Sequence, residues 1–158
     1  MTSGPDRARI ERLLEIEFEH LQRINDKYDG SRFVVKNWAV TAAGALVALS
    51  VTVRNPGLAL VGCAAVAIFG YLDILYIYIQ DHVLTRCNRV EDLLDAVSRG
   101  DVPTREEVYR FGISQAFEGK FRLGGLIGAL RGRPHIYALY LGLIIALAAD
   151  AVALAFAR

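Results

Sequence analysis

The sequence predicts an all-α membrane protein with three transmembrane helices, and its composition and patterning carry that prediction. Hydrophobic residues make up 54% of the 158 residues, and the mean hydropathy is +0.32. The apolar residues fall in blocks, whereas a soluble domain interleaves them with polar residues at helical or strand period. Charged residues lie between the blocks. The stretch from Met1 to His20 has no apolar run of the kind found in signal peptides.

The N-terminal segment, residues 1–31, is predicted to form a cytoplasmic amphipathic helix. Its apolar residues follow one helical seam, in which Glu17 takes one position. The seam residues are Ile10, Leu14, Leu21, Ile24 and Tyr28. Such a helix either packs on its neighbours in the same chain or joins subunits. Asp29-Gly30-Ser31 predicts its end, because this sequence is typical of a turn.

Transmembrane spans are predicted at 33–53, 58–80 and 136–156, each close to the ~20 apolar residues that cross the hydrocarbon core. Lys36 and Trp38 suit the interface, where lysine reaches the headgroups and tryptophan forms part of the aromatic belt. Arg54-Asn55-Pro56-Gly57 predicts a tight turn that joins the first two spans as antiparallel helices.

The second span is predicted to continue as one helix to Arg99. Apolar residues keep a 4-3-4-3 spacing beyond Gln80, and Gly100 is the expected C-cap. A capping box at Thr104 predicts the start of another helix. A Gly-rich basic segment follows that helix up to residue 133 and is expected at the membrane interface. With the N-terminal helix, these parts form a predicted helical cytoplasmic layer.

The distribution of basic residues predicts the topology. Of the 18 Lys and Arg residues, Arg54 and Arg158 fall on one side of the predicted spans and the other sixteen on the opposite side. Because cytoplasmic loops carry the excess of Lys and Arg, the N-terminus and the segment between the second and third spans are expected in the cytoplasm.

The sequence favours a protein that is not an enzyme and has no metal or cofactor. Its three histidines have no metal-ligand spacing, and no nucleophile or phosphate-loop motif occurs. Cys63 and Cys87, on one predicted helix, lie about 36 Å apart at 1.5 Å per residue, too far for a disulfide. The formal net charge of +1 gives no global argument for an acidic partner.

Asp73 and Asp150 are the candidate pore residues, because acids inside spans are rare and usually functional. Their expected depths differ, so they are not expected to pair with each other. In an oligomer, a ring of carboxylates lines a cation path. The alternative is that each acid is hydrated at an interface or capped by a neighbouring residue. Three helices alone cannot enclose a pore, so a channel requires self-association.

Basic and aromatic residues expected near the cytoplasmic face are candidates for binding an anion. Anionic lipid headgroups account for such a cluster. The alternative is an anionic ligand such as an oligonucleotide, with phosphates on Arg and Lys and bases stacked on an aromatic ring. The candidates are Arg32, Lys36, Trp38, Arg86, Arg89, Lys120, Arg122, Arg131 and Arg133.

Two sequence motifs resemble those of small three-span membrane effectors of bacterial antiphage defence. The first comprises Phe33, Lys36, Trp38 and the Ala39-Val40-Thr41 run at the start of the first span. The second comprises Leu72-Asp73 followed by Tyr76, before a charged helix. Among such proteins, the chain resembles the channel effector of the Hailong system.

The resemblance implies an ion channel in the bacterial inner membrane that is held shut by a single-stranded DNA oligomer. It further implies a homo-oligomer, with a tetramer favoured, and a partner nucleotidyltransferase that makes the ligand. Opening would depolarise the membrane of an infected cell. The alternative function is a non-conducting scaffold whose cytoplasmic helices recruit a partner protein. A small transporter is disfavoured, since the sequence shows no internal repeat and no broken helix in a span.

Overall fold

The computed structural model describes residues 4–101, 103–104 and 134–157, and the elements found there are three α-helices. Helix α1 runs from Gly4–Val53, α2 from Pro56–Arg99 and α3 from Pro134–Phe156. Each is long and apolar enough to cross a membrane. The prediction of an all-helical chain with three membrane-spanning helices is therefore confirmed at this level. The predicted helix from Thr104 and the basic segment up to residue 133 lie outside the described residues.

The predicted helix end at Asp29-Gly30-Ser31 is wrong, because α1 continues through it to Val53. Asp29 accepts a hydrogen bond from the Gln80 side chain, 2.9 Å away, so its carboxylate pairs with another helix instead of closing a turn. Gly30 is exposed, and no atom lies within 4 Å of a Cβ added there. A glycine inside a helix costs only about 1 kcal/mol, which contacts on either side of it can outweigh.

The predicted turn between α1 and α2 is confirmed and consists of Arg54 and Asn55. Arg54 has a φ of 53°, and the amide of Asn55 donates to Ser50 O at 3.0 Å, which closes α1 in the geometry usual at helix C-termini. The Asn55 side chain then accepts from the Gly57 amide at 3.0 Å and caps α2. Pro56 follows at the first helical position, where its missing N–H costs nothing.

Helix α2 is continuous and ends where the sequence predicts. Gly100 has a φ of 97°, and the amide of Asp101 donates to Ala96 O at 3.0 Å, which together form a Schellman cap. Buried residues recur every three or four positions along the helix, so that one face is covered for nearly its whole length. They are Ala59, Gly62, Val66, Gly70, Asp73, Ile77, Gln80, Val83, Cys87, Val90, Leu93 and Val97.

The described residues divide into two compact units, and each has its own core. Unit 1 comprises residues 4–29 and 79–101. The buried core of unit 1 is Leu14, Leu21, Val83, Cys87, Val90, Leu93 and Val97. Unit 2 comprises residues 30–78 and 134–157, and so contains α3. The buried core of unit 2 is Ala39, Ala43, Ala59, Val66, Tyr140, Leu147 and Ala151.

Close packing of α2 against α3 in unit 2 depends on two glycines. A Cβ added at Gly62 would lie 2.8 Å from a terminal carbon of Leu147, and one added at Gly70 would lie 3.3 Å from Tyr140 Cγ. Small residues let helix backbones approach closely, which is how helices associate in a membrane. Leu147 and Tyr140 therefore pack directly onto the backbone of α2.

Candidate functional site

Asp73 is completely buried in unit 2 and pairs with two basic residues of α1. Arg32 Nε donates to Asp73 Oδ1 at 2.9 Å, and Lys36 Nζ lies 3.8 Å from Oδ2. Arg32 and Lys36 are one helical turn apart, so both reach the same carboxylate. A candidate pore residue and two candidate ligand contacts thus form one charge-compensated cluster, in agreement with the alternative that Asp73 is capped by neighbouring residues.

Tyr140 of α3 completes the surroundings of Asp73. Its side chain is 6% exposed, and its ring packs on Gly70, one helical turn before Asp73 on α2. Among the described residues, neither the Tyr140 hydroxyl nor Asp73 Oδ2 has a hydrogen-bond partner of ordinary geometry. A buried donor on α3 and a buried acceptor on α2, both unsatisfied, therefore occur in the same part of unit 2.

Asp150 has a different environment in the same unit. It is half-buried, and the Ser50 hydroxyl of α1 donates a hydrogen bond to its Oδ2. Ser50 is completely buried and also lies 2.8 Å from Val47 O, so one hydroxyl proton is shared between two acceptors. Within the described part of the chain, Asp150 forms no ion pair. Asp73 and Asp150 thus have separate partners.

Arg86 lies in unit 1 and is bound to Glu17 at two points. Its Nε donates to Glu17 Oε1 at 2.8 Å and its Nη2 donates to Oε2 at 3.1 Å. The side chains are 12% and 14% exposed. The residue that interrupts the apolar seam of α1 thus forms a largely buried ion pair with α2.

Cys87 lies beside this ion pair, outside the predicted spans. Burial raises the pKa of its thiol, and the negative charges of Glu17 and Glu91 raise it further. The thiol therefore stays protonated at neutral pH. A protonated, buried thiol is a poor nucleophile, so the surroundings of Cys87 suit packing and not chemistry.

The remaining ligand-binding candidates are not brought together by the described residues. Trp38 is 61% exposed on unit 2, and Arg89 is exposed on unit 1. Lys120, Arg122, Arg131 and Arg133 lie outside the described residues. Within the described part of the chain, no group of three or more His, Cys, Asp or Glu side chains is placed to hold a metal ion.

Sequence reasoning did not single out Ser50, Tyr140, Gly62 or Gly70, although each contacts a residue of the other helices. Ser50 carried a usable signal, since it is a hydroxyl in one apolar span while another span has an acid, Asp150, to accommodate. Tyr140 gave a weaker signal, because tyrosines near the ends of spans are ordinarily assigned to the aromatic belt. Gly62 and Gly70 are eight positions apart in a span that is rich in alanine, so they do not stand out from the other small residues.

Compared with known protein families, curated proteins and solved structures, the chain gives no match. The resemblance to antiphage effectors therefore stays a prediction.

Proposed function

We propose that this protein is a homo-oligomeric ion channel of the bacterial inner membrane, with the N-terminus in the cytoplasm and Asp150 on the ion path. The environment of Asp150 is the observation that supports the proposal. It is an acid on an apolar helix, half-buried and held by a serine hydroxyl, with no compensating cation among the described residues. An intramembrane acid of this kind is expensive unless it faces water or a bound ion.

Self-association is part of this proposal, since the described helices leave most of their apolar surface uncovered. In the most apolar window of each helix, 17%, 28% and 17% of the residues are buried. Neighbouring subunits and lipid would cover the rest, and a ring of subunits would bring several copies of Asp150 together. A tetramer follows from the resemblance alone.

Asp73 has a structural role in this proposal, although the sequence also suggested it as a pore residue. A completely buried carboxylate between a guanidinium and an ammonium attracts no further cation. Its pairing with Arg32 joins α1 to α2. Conduction is therefore assigned to Asp150 and cohesion of the spans to Asp73.

Gating by a single-stranded DNA oligomer, and a role in antiphage defence, are the finer part of the proposal. The ion pairs of Arg32 with Asp73 and of Arg86 with Glu17 reduce the charge that these residues offer to a phosphate. Lys36 is likewise paired with Asp73, so the ligand would bind mainly through Lys120, Arg122, Arg131 and Arg133, with bases stacking on Trp38. The partner nucleotidyltransferase would supply the oligomer without remaining bound.

A second candidate function is a non-conducting scaffold, which unit 1 favours. Leu13 and Ile16 lie outside its core and are 40% and 56% exposed. Leu13 and Ile16 are three positions apart and therefore lie on the same face of α1, where a partner protein would bury both. A scaffold would use these residues to recruit a partner protein and would have no need for Asp150.

The test is ion flux from liposomes that contain the purified protein, with and without short single-stranded DNA. Flux that Asp150→Asn reduces several-fold, while Asp101→Asn in the exposed segment after α2 leaves it unchanged, is the expected result. Suppression of that flux by DNA supports the proposed ligand, whereas flux indifferent to DNA removes it and keeps the channel. Absence of flux from folded, inserted wild-type protein favours the scaffold.

A further inference from the structure

Polar groups of α3 lie against both other helices, and the Cys63 thiol of α2 donates to Ile144 O of α3 at 3.8 Å. Asp150 accepts a hydrogen bond from Ser50 of α1, while the Tyr140 ring packs on Gly70 of α2, one helical turn before Asp73. Tyr140 and Asp150 are ten positions apart, about 15 Å along the helix at 1.5 Å per residue. Contacts to two partners at two heights restrict rotation of α3 about its own axis more than either contact alone.

We propose that the Tyr140 hydroxyl donates a hydrogen bond to Asp73 Oδ2, and that this contact positions α3 so that Asp150 stays at Ser50. Tyr140 is then a positioning residue that acts through Asp73 and does not itself contact the ion. The inference rests on the proposed function only where it assigns conduction to Asp150. The hydrogen bond between Tyr140 and Asp73 does not depend on the proposed function and is tested independently of it.

The available donors and acceptors support this pairing. Asp73 Oδ1 already accepts from Arg32 Nε, and the 3.8 Å from Lys36 Nζ to Oδ2 is too long for a hydrogen bond. Oδ2 therefore keeps an acceptor position, and the tyrosine hydroxyl has one proton to give. Leaving both groups unsatisfied is unfavourable, because each has lost its hydrogen bonds to water without a replacement.

Gly70 fixes where the tyrosine ring lies. A Cβ at this position would stand 3.3 Å from Tyr140 Cγ and 3.5 Å from Cδ1, so any side chain there would push the ring away from α2. Because position 70 is one helical turn before Asp73, a ring that packs on Gly70 carries its hydroxyl toward the carboxylate. The close approach and the polar contact thus depend on each other.

Loss of the hydroxyl would leave α3 with its apolar contacts at this end. Leu147 and Ala151 are buried in unit 2 and would keep α3 packed on the other helices, while the polar contact that fixes its rotation at Tyr140 is lost. A small rotation of α3 would then carry the Asp150 carboxylate out of reach of Ser50. The expected consequence is an altered ion path without loss of the fold.

Tyr140→Phe tests the proposal, since it removes one oxygen and keeps the ring. Tyr137→Phe is the matched control, because that side chain lies one turn away on α3 and is 45% exposed. The measurements are thermal unfolding in detergent and the reversal potential in asymmetric salt. We expect Tyr140→Phe to lower Tm by about 2 °C and to shift the reversal potential, while Tyr137→Phe changes neither.

Each result bears on one part of the inference. A Tm of Tyr140→Phe equal to that of the wild type overturns the hydrogen bond. A lowered Tm with an unchanged reversal potential overturns the positioning of Asp150. A lowered Tm together with no conductance from the wild type confirms the hydrogen bond and contradicts the proposed channel. Gly70→Ala, which displaces the ring but keeps the hydroxyl, should shift the reversal potential in the same direction as Tyr140→Phe.

Discussion

The surroundings of Asp73 and Asp150 show two ways in which membrane-spanning helices accommodate an acid. Asp73 is completely buried between Arg32 and Lys36, so its charge is compensated within the chain. Asp150 is only half-buried, and a serine hydroxyl is its partner. A compensated buried acid contributes to the fold, whereas an acid bound by a neutral group keeps its capacity to attract a cation. The partners of an intramembrane acid therefore say more about its role than its depth does.

The largest expected effect is on stability, when Asp73 is replaced. Asp73→Leu leaves Arg32 and Lys36 without the carboxylate in a largely buried place, and breaking a buried ion pair by removing one partner costs about 3 kcal/mol or more. Thermal or denaturant unfolding in detergent measures the loss. Adding Arg32→Met should recover part of it, since the charge left behind is removed, while Lys36 can extend to the headgroups.

The structural role of Asp73 would be contradicted if the free energy of unfolding of Asp73→Leu lay within about 1 kcal/mol of the wild-type value. That difference is roughly one-third of the effect expected for a broken buried ion pair. The matched variant is Asp150→Asn. It keeps a hydrogen-bonding group opposite Ser50 and should change the free energy of unfolding by about 1 kcal/mol or less.

The sequence was sufficient to predict the three spans, the turn at Arg54 and Asn55, and the C-cap at Gly100. These features depend on local chemistry: apolar length, turn residues and a backbone position with positive φ. The continuity of α1 through Gly30 was not predicted, because the contacts that outweigh a turn-forming sequence are tertiary. One of them is the hydrogen bond from Gln80 to Asp29, which joins residues 51 positions apart.

The candidate site was predictable as a set of residues but not as pairs. Asp73, Arg32 and Lys36 were all expected near the same face of the membrane. The sequence left the acid as either a pore residue or one capped by a neighbour, and the cations as contacts to either lipid or a ligand. The choice between these roles depends on helix rotation, which charge and depth do not fix. Glu17 was noted as an interruption of an apolar seam, and its partner Arg86 was identified only from the packing of the two helices.

A smaller effect is expected where α3 approaches α2 most closely. Gly62→Ala would bring a methyl group within 2.8 Å of Leu147, which is completely buried and has little room to move. We expect a loss of about 1–2 kcal/mol in the free energy of unfolding. Gly44→Ala is the matched control, since no atom lies within 4 Å of a Cβ there. That variant should be neutral or gain up to about 1 kcal/mol from helix propensity.

Equal changes in Gly62→Ala and Gly44→Ala would show that α3 does not pack on the backbone of α2 at this point. The comparison between Asp73 and Asp150 would then lose its geometric basis, because both acids are placed by the packing of the same three helices.

The smallest expected effect is on the reactivity of Cys87 in unit 1. Its raised pKa keeps the thiol protonated, and the thiolate that reacts with iodoacetamide forms only as the pH rises above the ordinary thiol range. Glu17→Gln removes one of the charges that raise this pKa, so the pH dependence of alkylation should move to lower pH. A rate that increases equally at every pH would instead report greater exposure of Cys87, and would contradict the electrostatic explanation.

The most direct test of the central claim is the reversal potential of reconstituted protein in asymmetric salt, compared between the wild type and Asp150→Asn. We expect a cation-selective wild type whose selectivity falls when Asp150 is neutralised, because a carboxylate on the ion path concentrates cations. Tyr137→Phe, a neutral change on the same helix, should leave the potential unchanged. An Asp150→Asn protein that conducts with the same reversal potential as the wild type would contradict the assignment of Asp150 to the ion path.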